Sequence, residues 1–136
     1  MSGRAFFDTN ILIYCYTTTE PAKRNAAIDL LQNPDAWIST QVLQEISNTL
    51  RKRFDKSWPE IKGVIEEIGR NFQVHLNNEA TVFDALRLAE RYQYSFYDSM
   101  VLSAALQIGC QSIYSEDMQH GQVIDGLLTI INPFRG

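Results

Sequence analysis

The sequence predicts an α/β domain, a mainly parallel central sheet of about five short strands flanked by helices. Three observations predict it. Short apolar runs bounded by polar breaks alternate with longer segments of helical periodicity. Strands that alternate with helices pair in parallel, because each return to the sheet needs a crossover. The 136 residues are 45% apolar and 21% charged, enough for one core, and no linker or repeat divides residues 1–136 into a second domain.

Residues 4–8, RAFFD, read as the first strand, and the adjacent phenylalanines imply burial on both faces. Thr9 or Asn10 is placed to cap a helix over NILIYCY. TTTEP is a break, and Pro21 suits the first turn of the next helix, where Ala27, Leu30 and Leu31 recur at helical spacing. AWIS is the second strand. Ser39 or Thr40 then caps a third helix with Val42, Leu43, Ile46 and Leu50 as its apolar stripe. SWPE at 57–60 has the capping-box pattern of Ser57 and Glu60, and opens a fourth helix to about Gly69. NFQVHL is the third strand. Asn77 or Asn78 caps a helix to about Tyr92, and another runs from about Phe96 to Ile108 and stops at Gly109. Ser112 to Ser115 is the fourth strand and LLTII the fifth.

A formal charge of −4 argues against holding nucleic acid by bulk electrostatics alone. It leaves room for a nuclease, whose metal site needs carboxylates of its own. Cys15 and Cys110 sit among apolar neighbours and read as buried hydrophobes, not as a disulfide or zinc ligands. No basic start leads into an apolar signal region. The longest apolar run, Ile11 to Tyr16, is far short of the roughly 20 residues that span a bilayer. A cytoplasmic protein without a membrane partner is expected.

Four carboxylates carry the chemistry. Asp8 ends the first strand, where open α/β sheets place their ligands, although an aspartate there also caps a helix. Glu45 lies on the third helix beside its apolar stripe, a position usually solvated. Asp98 shares a helical face with Val101, Leu102 and Ala105, so it loses solvation unless a cation or donors compensate. It also lies in a first helical turn, where the dipole favours a negative charge. Asp117 follows the fourth strand in an ordinary polar turn, with Glu116 beside it and Ser115 placed to support either. Each acid alone has a plain reading. All four, however, are predicted at the edge where strands end and helices begin. Together they would repel, and a hard divalent cation would relieve that repulsion. An oxygen-only donor set suits Mg²⁺ or Mn²⁺ and not zinc.

FFDTNILIY, QVLQEI, YDSMVLSAA and YSEDMQHG, in that order from Phe6 to about Phe134, resemble the successive motifs of PIN domains, and most of all VapC-like toxins of bacterial toxin–antitoxin pairs. The resemblance implies a small α/β fold and a Mg²⁺- or Mn²⁺-dependent endoribonuclease that leaves 5′-phosphate and 3′-hydroxyl ends. It maps the family's acids onto Asp8, Glu45, Asp98 and Asp117, with Asn10 supporting the first. Ser115-Glu116-Asp117 stands where a Thr/Ser-x-Asp turn is common, so Glu116 either competes with Asp117 or acts behind it. A cognate antitoxin and a homodimer are implied as partners beside the RNA substrate. RNA also needs cations, and RKRFDK at 51–56 and the pair Arg87 and Arg91 are candidates, although basic residues in a last helical turn also serve the dipole. Tyr94, Phe96 and Tyr97 are candidates for base stacking or for the core; His75 is expected to be structural, and His120, after the fourth acid, is placed to touch substrate although a turn histidine usually does not. The alternatives are a catalytically silent PIN-fold module that binds RNA or protein, and a Mg²⁺-dependent phosphoacceptor domain. The second is disfavoured by a lone Asp8 and by the lack of any lysine after Lys62.

Overall fold

The computed structural model describes residues 3–135. Strand β1 (Ala5–Phe7) leads into α1 (Thr9–Cys15) and α2 (Pro21–Leu30). β2 (Ala36–Ser39) is followed by α3 (Thr40–Phe54) and α4 (Trp58–Asn71). β3 (Gln73–His75) is followed by α5 (Glu79–Tyr92) and α6 (Phe96–Ile108), and β4 (Ser112–Tyr114), β5 (Val123–Ile124) and β6 (Leu128–Ile131) complete the chain. The strand order is β3-β2-β1-β4-β6-β5, parallel throughout except for β5 against β6.

Strand β1 lies at the centre, buried at every residue, between β2 and β4. The order therefore runs outward from β1 in both directions, which makes the end of β1 a switch point of the sheet. Phe6, Phe7, Ile38, Ile113 and Ile130 from the strands meet Ile46, Leu50, Leu88 and Leu102 from the helices in one core. Helix α6 is buried nearly all round from Ser99 to Ala105, as its apolar sequence requires.

Local signals account for most boundaries. The Ser57–Glu60 capping box is formed, and Gly109 ends α6 in the left-handed region at φ 82°. Asn78, not Asn77, caps α5 through Thr81. Two expectations are corrected. The sheet has six strands, not about five, because Val123–Ile124 pairs with β6 through a tight Asp125-Gly126 turn, both residues at positive φ (53° and 68°). Asp-Gly between apolar residues is itself a strong hairpin signal. The cap of α1 is Asp8, which accepts from the Thr9 N–H, and not Thr9 or Asn10. Among the described residues no helix is long and apolar enough to cross a membrane.

Leu102 is 0% exposed in the core and Leu127 is 70% exposed beside the β5–β6 turn. Leu102→Ala is expected to lower stability by about 3 kcal/mol and Leu127→Ala by less than about 0.5 kcal/mol in urea unfolding. Equal losses would refute this placement of the core.

Candidate active site

The parallel register sets Phe7 beside Tyr114, so Asp8 and Ser115 leave the sheet side by side. The Asp8 N–H donates to the Tyr114 carbonyl (3.0 Å), which carries the strand pairing up to the carboxylate itself. Asp8 is 6% exposed, and its two oxygens accept from the Thr9 N–H and from Ser115 Oγ, both at 2.8 Å. Capping and site-building are thus one role for Asp8, since the carboxylate that starts α1 is also the floor of a groove.

That groove, about 290 Å³, is lined by all four predicted acids, Asp8, Glu45, Asp98 and Asp117, together with Thr9, Asn10, Asn48 and Thr49. Larger cavities lie near Lys23 and Phe134 and near Tyr16 and Lys56, but neither gathers these acids. Helix α3 brings in Glu45, which accepts from Thr9 Oγ1 (2.5 Å) and from Gln41 Nε2 (3.3 Å). Helix α6 brings in Asp98. Its backbone N–H is capped by Ser95 Oγ (3.2 Å), so Ser95 rather than the Asp98 carboxylate does the capping. Asp117 arrives on the turn after β4, and Asn10 Nδ2 donates to its Oδ2. Ser115 Oγ also accepts from the Asp117 N–H (3.3 Å), linking the first and fourth acids through one hydroxyl.

The turn separates Glu116 from Asp117. Glu116 leaves the groove to accept from Tyr14 Oη (2.6 Å) and to pair with Lys23 on α2. Other cations are engaged elsewhere: Arg4 pairs with Asp35, and Arg87 with Asp84 and Asp125. The expected phosphate patch of Arg87 and Arg91 is therefore corrected, because Arg87 is already neutralised. Tyr94 is structural, donating to Gln122 and accepting from the Gln119 N–H. His75 bonds Gln107, and His120 Nδ1 accepts from the Asn132 N–H, as structural histidines do. Cys15 and Cys110 are free thiols, Cys110 buried and Cys15 partly so.

None of the four groove acids is in a salt bridge among the described residues. Burial pushes the Asp8 carboxyl up to about 7; its two hydrogen bonds work the other way, and Glu45 and Asp98 add repulsion. Burial also raises Asp98, helped by the charges of Asp117 and Glu45, and raises Asp117, helped by Glu116. As the side chains stand, no three His, Cys, Asp or Glu groups among the described residues are close enough to chelate one ion. Neutral donors hold the carboxylates: Thr9 and Gln41 on Glu45, Asn10 on Asp117 and Ser115 on Asp8. The donor set itself fits a hard cation: several carboxylate oxygens, neutral oxygen neighbours and no sulfur.

Sequence reasoning missed Thr9, Gln41, Asn48 and Thr49. For the last three the signal was present, since positions 41, 45, 48, 49 and 52 share one face of α3.

The fold is a mostly parallel α/β sheet with its switch point at β1, and a groove lined by four carboxylates lies at that point. The chain belongs to the PIN domain family, whose model matches residues 5–124. No curated protein sequence matches this one. Solved structures share the fold at low identity. A toxin–antitoxin complex from Klebsiella pneumoniae is 19% identical with a TM-score of 0.73, covering 96% of this chain and 98% of that one. VapC20 of Mycobacterium tuberculosis, described as a sarcin-ricin loop cleaving toxin, is 21% identical with a TM-score of 0.70, covering 83% and 89%. VapBC2 from Rickettsia felis, bound to a DNA fragment from its promoter, is 17% identical with a TM-score of 0.69, covering 96% and 100%.

The Asp8 shift contributes a pH dependence in the absence of a cation, in the same direction as the raised Asp98 and Asp117. Between its ordinary value of 3.8 and about 7, the folded chain keeps a proton that the unfolded chain releases. Stability therefore falls as pH rises through that window and is lowest above it. Thermal unfolding in chelator is expected to show this fall. At about pH 8, Asp8→Asn is expected to be the more stable protein by on the order of 1–3 kcal/mol. A variant less stable than the wild type there would sink the reading.

Proposed function

We propose that this chain is a Mg²⁺- or Mn²⁺-dependent endoribonuclease, the toxin of a toxin–antitoxin pair that acts in the cytoplasm. The observation that carries the reading is the set of four carboxylates in one groove at the switch point, none of them in a salt bridge among the described residues. Membership of the PIN family and a fold shared with toxins of such pairs support it.

Asp8, Asp98 and Asp117 would hold the cation, and Glu45 would either join them or orient the attacking water. Bound there, Mg²⁺ or Mn²⁺ supplies Lewis-acid polarisation of the phosphodiester and neutralises its charge. The chain's own residues set the geometry. Ser115 fixes the Asp8 carboxylate and the turn that carries Asp117. Asn10 aims Asp117. Thr9 and Gln41 hold Glu45 from two sides, which suits a group that must take a proton from one direction. In the hydrolysis, a water oxygen bonds to phosphorus, the bond to the 3′ oxygen breaks, and that oxygen leaves with a proton. Glu116, bound by Lys23 and Tyr14, keeps the turn in place from behind. A cognate antitoxin and a second copy of the chain are proposed as partners.

The test is cleavage of a mixed pool of cellular RNA with Mn²⁺, Mg²⁺ or chelator. Chelator is expected to abolish it, and Asp98→Asn or Asp117→Asn to reduce it roughly a hundredfold or more. Glu116→Gln is expected to retain activity within a few-fold. Activity that survives chelator would defeat the mechanism. A folded protein that binds Mn²⁺ and cuts no RNA would favour a binding-only PIN module.

A further inference from the structure

A second cavity, also about 290 Å³, opens beside the acidic groove and shares Glu45 and Asn48 with it; Gln41, Gln44 and Tyr97 complete its walls. Its chemistry differs from that of the groove. Two exposed amide side chains, Gln44 and Asn48, offer donors and acceptors, and no lysine or arginine lines it. Tyr97 adds an aromatic ring that is 64% exposed. Phe96 packs against that ring edge-on, with centroids 5.3 Å apart and planes at 72°. Tyr97 immediately precedes Asp98, so one helical turn of α6 delivers both the ring and a site carboxylate.

Gln41 supplies an independent observation. It is 6% exposed, and its Nε2 donates to Glu45 Oε2 (3.3 Å) and to the Tyr97 carbonyl (3.2 Å). Both partners are acceptors, which fixes the orientation of the amide. Gln41 Oε1 is left with no partner among the described residues. That oxygen is enclosed and the Nε2 hydrogens are engaged, so Gln41 fixes Glu45 and the Tyr97 backbone at the base of the pocket and leaves Gln44 and Asn48 to meet a ligand.

We propose that this pocket is a subsite for one unpaired nucleobase, stacked on Tyr97 and hydrogen-bonded at its edge by the amides of Gln44 and Asn48. This rests on the nuclease reading above. A base is flat and uncharged, with donors and acceptors around its edge, and it matches an aromatic face bordered by amides. Within a duplex both faces are stacked and the edge is paired, so the base must be splayed out to enter. Helix α3 sets the spacing. Gln41, Glu45, Asn48 and Lys52 share a face, and Gln41 to Lys52 spans about 16 Å at the helical rise, a distance of a few nucleotides. Lys52 is exposed and pairs with no carboxylate among the described residues, so a flanking phosphate is held beyond the groove from the base.

The test is fluorescence anisotropy with labelled RNA hexanucleotides in Ca²⁺, alongside Mn²⁺-dependent cleavage of the same RNAs. Tyr97 and Gln44 are both exposed, so Tyr97→Ala and Gln44→Ala leave the core untouched. Wild type is expected to bind unpaired RNA at least about tenfold more tightly than the same sequence in a duplex. Tyr97→Ala is expected to weaken binding by roughly five- to a hundredfold, the range for losing one base stack. Gln44→Ala is expected to weaken it less. Both losses should vanish on an oligonucleotide carrying one abasic position in the matching register. If both variants bind intact and abasic RNA as wild type does while cleavage persists, the subsite is overturned and the nuclease stands. A preference for duplex overturns it too. If wild type neither binds nor cuts any RNA, the nuclease reading fails and the subsite fails with it.

Discussion

The structure depends on a carboxylate placed where burial opposes its charge. Asp8 stands at the end of the innermost strand, with β2 on one side and β4 on the other, and keeps only the Thr9 N–H and the Ser115 hydroxyl as donors. A charged group with so little solvation is costly to fold around. The surrounding sequence meets that cost in part and leaves the rest. The first helical turn supplies a backbone donor and β4 supplies a hydroxyl at the matching register, but no arginine or lysine is brought in. The remaining penalty is what a divalent cation would relieve. The groove thus opposes stability, as functional sites commonly do.

The same logic explains how charge is distributed over the rest of the chain. With a net charge of −4 the protein carries more acids than bases, and the ion pairs of Arg4, Lys23 and Arg87 all lie outside the groove. Lys23 neutralises Glu116, the acid most able to crowd Asp117. Arg87 joins Asp84 to Asp125 and thereby fastens α5 to the turn of the terminal hairpin. Among the described residues, Lys52 and Arg53 are two of the bases without a carboxylate partner, and they lie at the end of α3, two turns beyond Glu45. Helix α3 therefore runs from amides, through a carboxylate, to cations along a single face, an order that suits a polyanion crossing it.

Much of this was legible in residues 1–136 because the signals were local. Asp98 on an otherwise apolar face, the alternation of strands with helices, and SWPE at a helix start each depend on spacings of a few residues. The convergence of four acids followed from topology alone, since parallel strands end, and their helices begin, at one edge. The features that were not legible depend on distant partners. Glu116 and Asp117 are neighbours of the same type, and only Lys23, 93 residues before Glu116, decides which one leaves the groove. Arg87 looked free until the terminal hairpin brought Asp125 to it. That hairpin was missed although Asp125-Gly126 announced it, because β5 is only two residues long and falls below the length at which alternation can be recognised.

Thr9 shows why a site is read incompletely when its acids alone are considered. At the first position of α1 it looked like a cap, yet Asp8 takes that role and frees the Thr9 hydroxyl to donate to Glu45, 36 residues later. One residue thus joins the strand-end carboxylate, through its backbone N–H, to the helix carboxylate, through its side chain. Two negative groups that repel are held near one another by a neutral donor between them. Asn10 does the same for Asp117 from the next position. The segment Asp8-Thr9-Asn10 is therefore a unit: one acid and two neutral donors, with α1 setting where each points. Replacing either donor by an apolar residue of similar size would leave the fold's core intact while releasing an acid from its place. For this reason the polar residues beside the acids carry as much of the site's geometry as the acids do.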